Sequence, residues 1–191
     1  MILLDGYSDV PAGKIAAVVT HLEMTARPAP RPDPPGAWAL RKVAHRDLYL
    51  RVGGEWMWYG RIKMSDSALA AKIQSSGVDV YALVHEGHDE GLLELDFREA
   101  GVCEISMFGV TSNLLGMGAG RWLMNRTLEL AWSRDVVRVW LHTCTFDHPS
   151  ALAFYQRSGF RPFRRQIVVG DDPRLDGTAS REVARHVPII E

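Results

Sequence analysis

The apolar positions of this chain change period several times. In GKIAAVVTHLEMTA (13–26), Ile15, Ala17 and Val19 alternate with Ala16, Val18 and Thr20, the two-residue period of a β-strand. ARPAPRPDPPGA (26–37) then carries Pro28, Pro30, Pro32, Pro34 and Pro35, which remove backbone donors, disfavour helix and predict an extended surface loop. Between Trp38 and Gly77 the pattern turns helical. RDLYLRVGG predicts a short helix ended by glycine, and SDSALAAKIQSSG one that opens on a Ser/Asp cap and stops at Gly77. WMWYGR (56–61), between them, offers aromatics for packing helix on helix or for lining a pocket.

From Val78 onward strands dominate. VDVYALVHE, GLLELDFRE and VCEISMFGV, separated by EGHDEG and the tight EAG turn, predict an antiparallel meander. A glycine-rich loop follows, then a helix from Gly118 to Ser133, the strand VVRVWLHTC, the short helix HPSALAFYQRSG and the strand FRPFRRQIVV. This order predicts an α/β (α+β) fold, a mixed sheet with helices on its faces. With 191 residues the chain suits a single domain: 1–77 an N-terminal strand, proline-rich loop and two helices, 78–169 the core, 170–191 a tail. HVPII in the tail either adds an edge strand or runs over the surface.

Composition narrows the partners. Hydrophobic residues make up 47% and charged residues 24%, the balance of an ordinary folded protein, and a net charge of -1 gives no basic footprint for nucleic acid or an anionic membrane. MILLDGYSDV lacks the basic start and long apolar core of a leader, and no apolar run approaches the ~20 residues that span a bilayer. Cys103 and Cys144 both fall in predicted strands, so a reduced, cytoplasmic setting is the expectation.

In NLLGMGAGRWLMN (113–125), Gly116, Gly118 and Gly120 stand at alternate positions directly ahead of a helix. Missing side chains let a ligand approach the backbone, and free N–H groups with the helix dipole favour phosphate oxygens. A turn that admits close helix-to-strand packing is the other use. There is no G-x-x-x-x-G-K-[ST], because Arg121 and Trp122 follow Gly120, and a preceding antiparallel meander does not suit a dinucleotide-binding fold.

GVTSNLLGMGAGRWLMNRTLELAW resembles the acyl-CoA-binding segment of the GNAT superfamily of N-acetyltransferases, Q/R-x-x-G-x-G/A, with Leu115, Gly118 and Gly120 at its three defined positions and Leu115 departing from Gln or Arg. DHPSALAFYQRSGFRPF resembles the later motif N-x-x-A-x-x-x-Y-x-x-x-G-F, with Ala151, Tyr155, Gly159 and Phe160 matching and His148 in place of Asn. The likeness runs from about Val78 to Val169. It implies a mainly antiparallel central sheet with helices on both faces and acetyl-CoA as co-substrate. It places pyrophosphate on the amides of Leu115, Gly116, Met117, Gly118, Ala119, Gly120 and Arg121, and pantetheine along Phe108, Gly109 and Val110, with His148 at the motif's Asn position. It also puts Tyr155 near the thioester sulfur, where a phenol can protonate a departing thiolate; a core aromatic spaced from Ala151 and Gly159 is the other reading of Tyr155.

An attacking amine must lose a proton, and the meander offers carboxylates. If the EAG turn sets Asp96 opposite Glu104, then Leu92, Glu94, Asp96 and Arg98 share a face with Val102, Glu104, Ser106 and Phe108. Gathered carboxylates would raise one another's pKa and attract a cationic amine. Glu104 ranks first as base and Glu94 second, with Glu23 outside; the alternative is a solvated polar face with Leu93, Leu95 and Phe97 turned inward.

LHTCTFDH (141–148) puts His142 and Cys144 on one strand face, beside pantetheine or acceptor, with Asp147 capping the next helix. His142, Cys144, Asp147 and His148 form no recognised metal pattern, which leaves a metal-dependent hydrolase as an outside reading and no metal as the expectation. Arg157, Arg161, Arg164 and Arg165 either meet a phosphate of coenzyme A or solvate an edge. These features point to an acyltransferase that moves acetyl from acetyl-CoA to a primary amine of a small molecule or peptide, with edge-strand dimerisation open. A noncatalytic acyl-CoA-binding module on the same fold is the alternative.

Overall fold

The computed structural model describes residues 5–43 and 46–191. Residues 1–4, which open the segment read for a leader, lie outside the described residues. The strands are β1 (Lys14–Met24), β2 (Trp38–Lys42), β3 (Val78–His85), β4 (His88–Asp96), β5 (Val102–Val110), β6 (Arg138–Cys144) and β7 (Arg161–Asp171). The helices are α1 (Arg46–Gly53), α2 (Asp66–Ile73), α3 (Ala119–Ala131) and α4 (Ala151–Arg157). One sheet runs in the order β2-β3-β4-β5-β6-β1-β7, antiparallel throughout except for the parallel pair β5 and β6.

Helices cover both faces of this mixed sheet, as the element order predicts. On one face Leu48, Tyr49 and Val52 of α1 pack on Val80, Ala82 and Leu92. On the other, Leu123, Met124 and Leu128 of α3 join Leu83, Leu93, Leu95 and Ile105, with Tyr155 of α4 in the same cluster. The middle of β4 is therefore buried on both sides, with Leu92, Leu93 and Leu95 almost without exposure, each contributing about 1.5–3 kcal/mol by leaving water. The solvated polar face offered as an alternative for β4 does not form.

Two elements depart from the pattern. Trp38–Lys42, inside the stretch read as helical, is the edge strand β2; it gains its identity from pairing with β3, Trp38 opposite His85 through Lys42 opposite Tyr81, and from Trp38 and Leu40 packing on the core. HVPII forms no strand. The buried Arg174 guanidinium binds Asp172 and donates to the carbonyls of Val183 (3.2 Å), Ala184 (3.2 Å) and Val187 (2.9 Å), which folds the tail into turns against Ile15, Ala17, Met57 and Phe146.

The N-terminal β1 sits between β6 and β7, with Leu22 fully buried and opposite Leu141. Asp96 faces Glu104 as the EAG turn implies, but the register then shifts: Leu95 pairs with Ile105 and Glu94 with Met107, so Ser106 bulges. The extra residue reverses the alternation of β5 beyond it. Phe108, expected beside Glu104, turns to the opposite face, where it stacks on Phe154 with ring centroids 5.8 Å apart.

Candidate active site

β5 and β6 pair only where Val102–Glu104 meets Arg138–Trp140. Beyond that the bulge at Ser106 bends β5 away, and the strands splay around a cavity of about 550 Å³. Residues 105–110 of β5 form one wall, and Leu141, His142 and Cys144 of β6 the other. α1 and the 55–60 connector close one side, while Gly120, Phe154 and Tyr155 stand on the α3 and α4 side. Of the residues assigned to cofactor, Phe108, Gly109, Val110, Leu115, Gly120 and His148 line this cavity. Gly116, Met117, Gly118, Ala119 and Arg121 lie outside its lining.

The WMWYGR aromatics serve both uses open to them. Trp56, Trp58 and Tyr59 line the cavity, and Trp58 also packs on Tyr49 at 5.7 Å. Gly109 is required by this packing, because a Cβ there would stand 2.6 Å from Cγ1 of Val52. Asp147 does not cap α4, which begins only at Ala151. Its carboxylate instead accepts from Thr143 Oγ1 (2.6 Å), the Cys144 N–H (2.8 Å) and Trp58 Nε1 (3.1 Å), tying the tip of β6 to the connector. His148 Nδ1 accepts from the Ser150 N–H at 3.1 Å, and its ring meets Trp56 edge-on.

Gly116 and Gly118 have φ of 78° and 89°, the left-handed region that excludes most side chains, and Gly118 caps α3 with no side-chain acceptor. The N–H groups of Leu115 and Met117 donate within the loop, to Ser112 (3.2 Å) and Leu114 (3.3 Å), so these two amides are occupied. Trp122 makes the first bond of the helix, to Gly118. That leaves the first-turn N–H groups of Ala119, Gly120 and Arg121 without intrahelical acceptors. A Cβ at Gly120 would meet nothing within 4 Å, so this turn opens on free space at the cavity, a fit for a phosphate-bearing ligand.

The proline-rich segment is more than a connector. Arg121 Nη2 donates to the Pro32 carbonyl (2.6 Å), and Asn125 Nδ2 to that of Arg31 (3.2 Å) and to Asp33 (2.8 Å). Arg126 binds Asp33 at 3.0 Å, and Pro34 rests where a Cβ at Gly118 would clash at 2.9 Å. The segment thus straps the first half of α3. Nothing in its composition signalled this, since carbonyl acceptors have no sequence signature.

Tyr155 is 8% exposed, with Phe108, Phe154 and Phe160 around it at centroid distances of 6.0, 5.5 and 6.4 Å. Burial, and secondarily the Asp147 charge, push its phenol pKa up, so the group keeps its proton at neutral pH. Cys144 is likewise raised by burial, which disfavours the thiolate a nucleophile needs. Among the described residues no group of three or more His, Cys, Asp or Glu is placed to hold a metal ion. Arg161, Arg164 and Arg165 are exposed along β7, and Arg157 closes α4.

The carboxylates separate. Glu94 is 2% exposed and bound in a two-pronged ion pair with Arg61, one arm at 2.6 Å. Asp96 is held by Arg98, and Glu23 by Arg138 at 2.7 Å. Glu104 has no ion-pair partner among the described residues; burial, then the Asp96 and Glu94 charges, raise its pKa. Neither Glu94 nor Glu104 lines the cavity. A carboxyl that binds its proton more tightly when folded loses stability as pH rises through the carboxylate range. Glu104→Gln is therefore expected to melt at higher temperature than wild type at pH 7, with the gap closing at pH 4. Thermal melts at the two pH values check this.

A family model described as Acetyltransferase (GNAT) family matches residues 58–160, more than half of the chain and the whole of the splayed cavity's β5 and β6 walls. The chain belongs to the GNAT family. Over 83 residues, 42% of this chain, it is 37% identical to a mycothiol acetyltransferase of Beutenbergia cavernae, covering 28% of that protein. A GCN5-related N-acetyltransferase from Sphaerobacter thermophilus shares the GNAT fold with TM-score 0.58 at 19% identity, over 85% of this chain and 53% of that one. A tandem GNAT protein from the clavulanic acid biosynthesis pathway matches with TM-score 0.58 at 18% identity, over 86% of this chain and 54% of that one. The chain thus spans about half the length of these two structures. Among the described residues no helix is long and apolar enough to cross a membrane.

Proposed function

We propose that this chain transfers an acetyl group from acetyl-CoA to a primary amine by direct attack within a ternary complex. The observation that carries this reading is the splay of β5 from β6, which opens beside the uncapped first turn of α3 and is flanked by a protonated Tyr155. The α3 N–H groups of Ala119, Gly120 and Arg121 are suited to the pyrophosphate, and residues 108–110, whose ladder bonds toward β6 are absent, to the amides of pantetheine. Tyr155 lies on the α3 and α4 face, where its phenol donates to the departing thiolate. Trp56, Trp58 and Tyr59 line the same cavity from the connector, the side left for the acceptor.

Incubation with acetyl-CoA and a panel of amines, amino acids and peptides, read by thiol release and product mass, tests the reading. Thiol release dependent on a primary amine is expected. Saturable acetyl-CoA binding with no release under any amine would instead favour a noncatalytic module.

A further inference from the structure

β1 lies directly against β6, and this places His21 opposite His142, with ring centroids 5.6 Å apart. His142 lines the cavity on the wall formed by β6, two positions past the last residue paired with β5. Leu141 and Val139 of β6 point into the α3 and α4 cluster that contains Tyr155, so strand alternation turns His142 to the other face. A thioester in the splay would thus have a phenol on one side and an imidazole on the other. His21 Nε2 is buried and, among the described residues, has no hydrogen-bond partner; its ring is set between Trp140 (5.9 Å) and Phe163 (6.0 Å).

We propose that His142 is the general base for the acceptor amine, and that His21 is a positioning residue that packs on the His142 ring and keeps it aimed into the cavity. This rests on the acetyl-transfer reading above. His142 takes a proton from the ammonium, the freed nitrogen bonds to the thioester carbon, and the carbon–sulfur bond breaks. Tyr155 gives its proton to the sulfur. Of the ammonium's three protons one stays in the amide, one leaves through His142 to solvent, and one returns the phenol to its starting state.

Surrounding groups agree with the assignment. The cavity walls that partly desolvate it, then the neighbouring His21, hold His142 below the ordinary histidine range although part of its ring stays exposed to the cleft, while Asp147 opposes them more weakly. Besides His142, the titratable or charged groups that line the cavity are Tyr49 and Arg51 of α1, Glu55 and Tyr59 of the connector, Cys144 on its own strand, Asp147 and His148 just after it, and Tyr155 of α4. Arg164 of β7 is the strand partner of His21. Asp147 is already taken up by Thr143, Cys144 and Trp58, and His148 by Ser150 and Trp56, whereas His142 stands on the β6 wall with no side-chain hydrogen bond among the described residues, and an imidazole accepts a proton near neutral pH.

The test measures kcat, kcat/KM against pH and acetyl-CoA affinity for wild type, His142→Gln, His142→Ala and His21→Asn, with the best amine of the panel. The expected result is an acid limb below the usual histidine pKa in wild type. In His142→Gln kcat falls about 100- to 10,000-fold, the limb disappears, and acetyl-CoA affinity is kept. His142→Ala recovers turnover with added imidazole, and His21→Asn moves the limb to higher pH. Wild-type turnover with an unchanged limb in both His142 variants overturns the inference while leaving acetyl transfer intact. Absence of thiol release by wild type with every amine overturns the acetyl-transfer reading, and the inference with it.

Discussion

Tyr155→Phe is expected to lower kcat by about 100- to 10,000-fold while leaving acetyl-CoA affinity and thermal stability close to wild type. The substitution removes one oxygen from a ring whose packing against Phe108, Phe154 and Phe160 is otherwise preserved. Because burial holds the phenol protonated, the loss is of a proton donor and not of a charge. Steady-state rates with parallel calorimetric titration of acetyl-CoA separate the two effects. Unchanged kcat would remove Tyr155 from the chemistry and leave it a core aromatic.

Glu94→Gln is expected to destabilise the fold by about 3–5 kcal/mol, because it strands the Arg61 guanidinium without a counter-charge in a site closed to water. Urea unfolding at pH 7 measures this. Replacing both partners with apolar residues, Arg61→Met with Glu94→Leu, should restore much of the loss, since a buried pair is hard to break singly and easier to replace whole. A loss below about 1 kcal/mol for Glu94→Gln would show that the pair does not anchor the connector carrying Trp56, Trp58 and Tyr59.

The parts of the fold that were legible in the sequence are those set by short-range spacing. Gly116, Gly118 and Gly120 around the start of α3, and Ala151 and Tyr155 of α4 with Gly159 and Phe160 just past its end, are local patterns whose structural context follows from the elements beside them. The meander and its first pair, Asp96 with Glu104, follow from the EAG turn. The bulge at Ser106 does not, since one extra residue leaves no trace in hydropathy yet reverses Phe108. β2 was missed because five residues become a strand only by pairing with β3.

Glu94 looked like a base because its strand alternates; that Arg61, on a distant connector, neutralises it is a tertiary fact. The same holds for His21 and His142. Only the insertion of β1 between β6 and β7 brings them together, and no window of the sequence contains both. Asp33 of the proline-rich segment is a third case, a proline-flanked acid whose α3 partners Asn125 and Arg126 become visible only when the strap is laid down.

The central claim is that acetyl-CoA binds at the first turn of α3, in the space that Gly120 leaves open. Calorimetric titration of acetyl-CoA into wild type and Gly120→Trp tests it most directly. The account predicts saturable binding by wild type and no detectable binding by the variant, with both chains melting alike because a Cβ at Gly120 meets nothing within 4 Å. Equal affinity in the two proteins, or no binding by wild type, would contradict it.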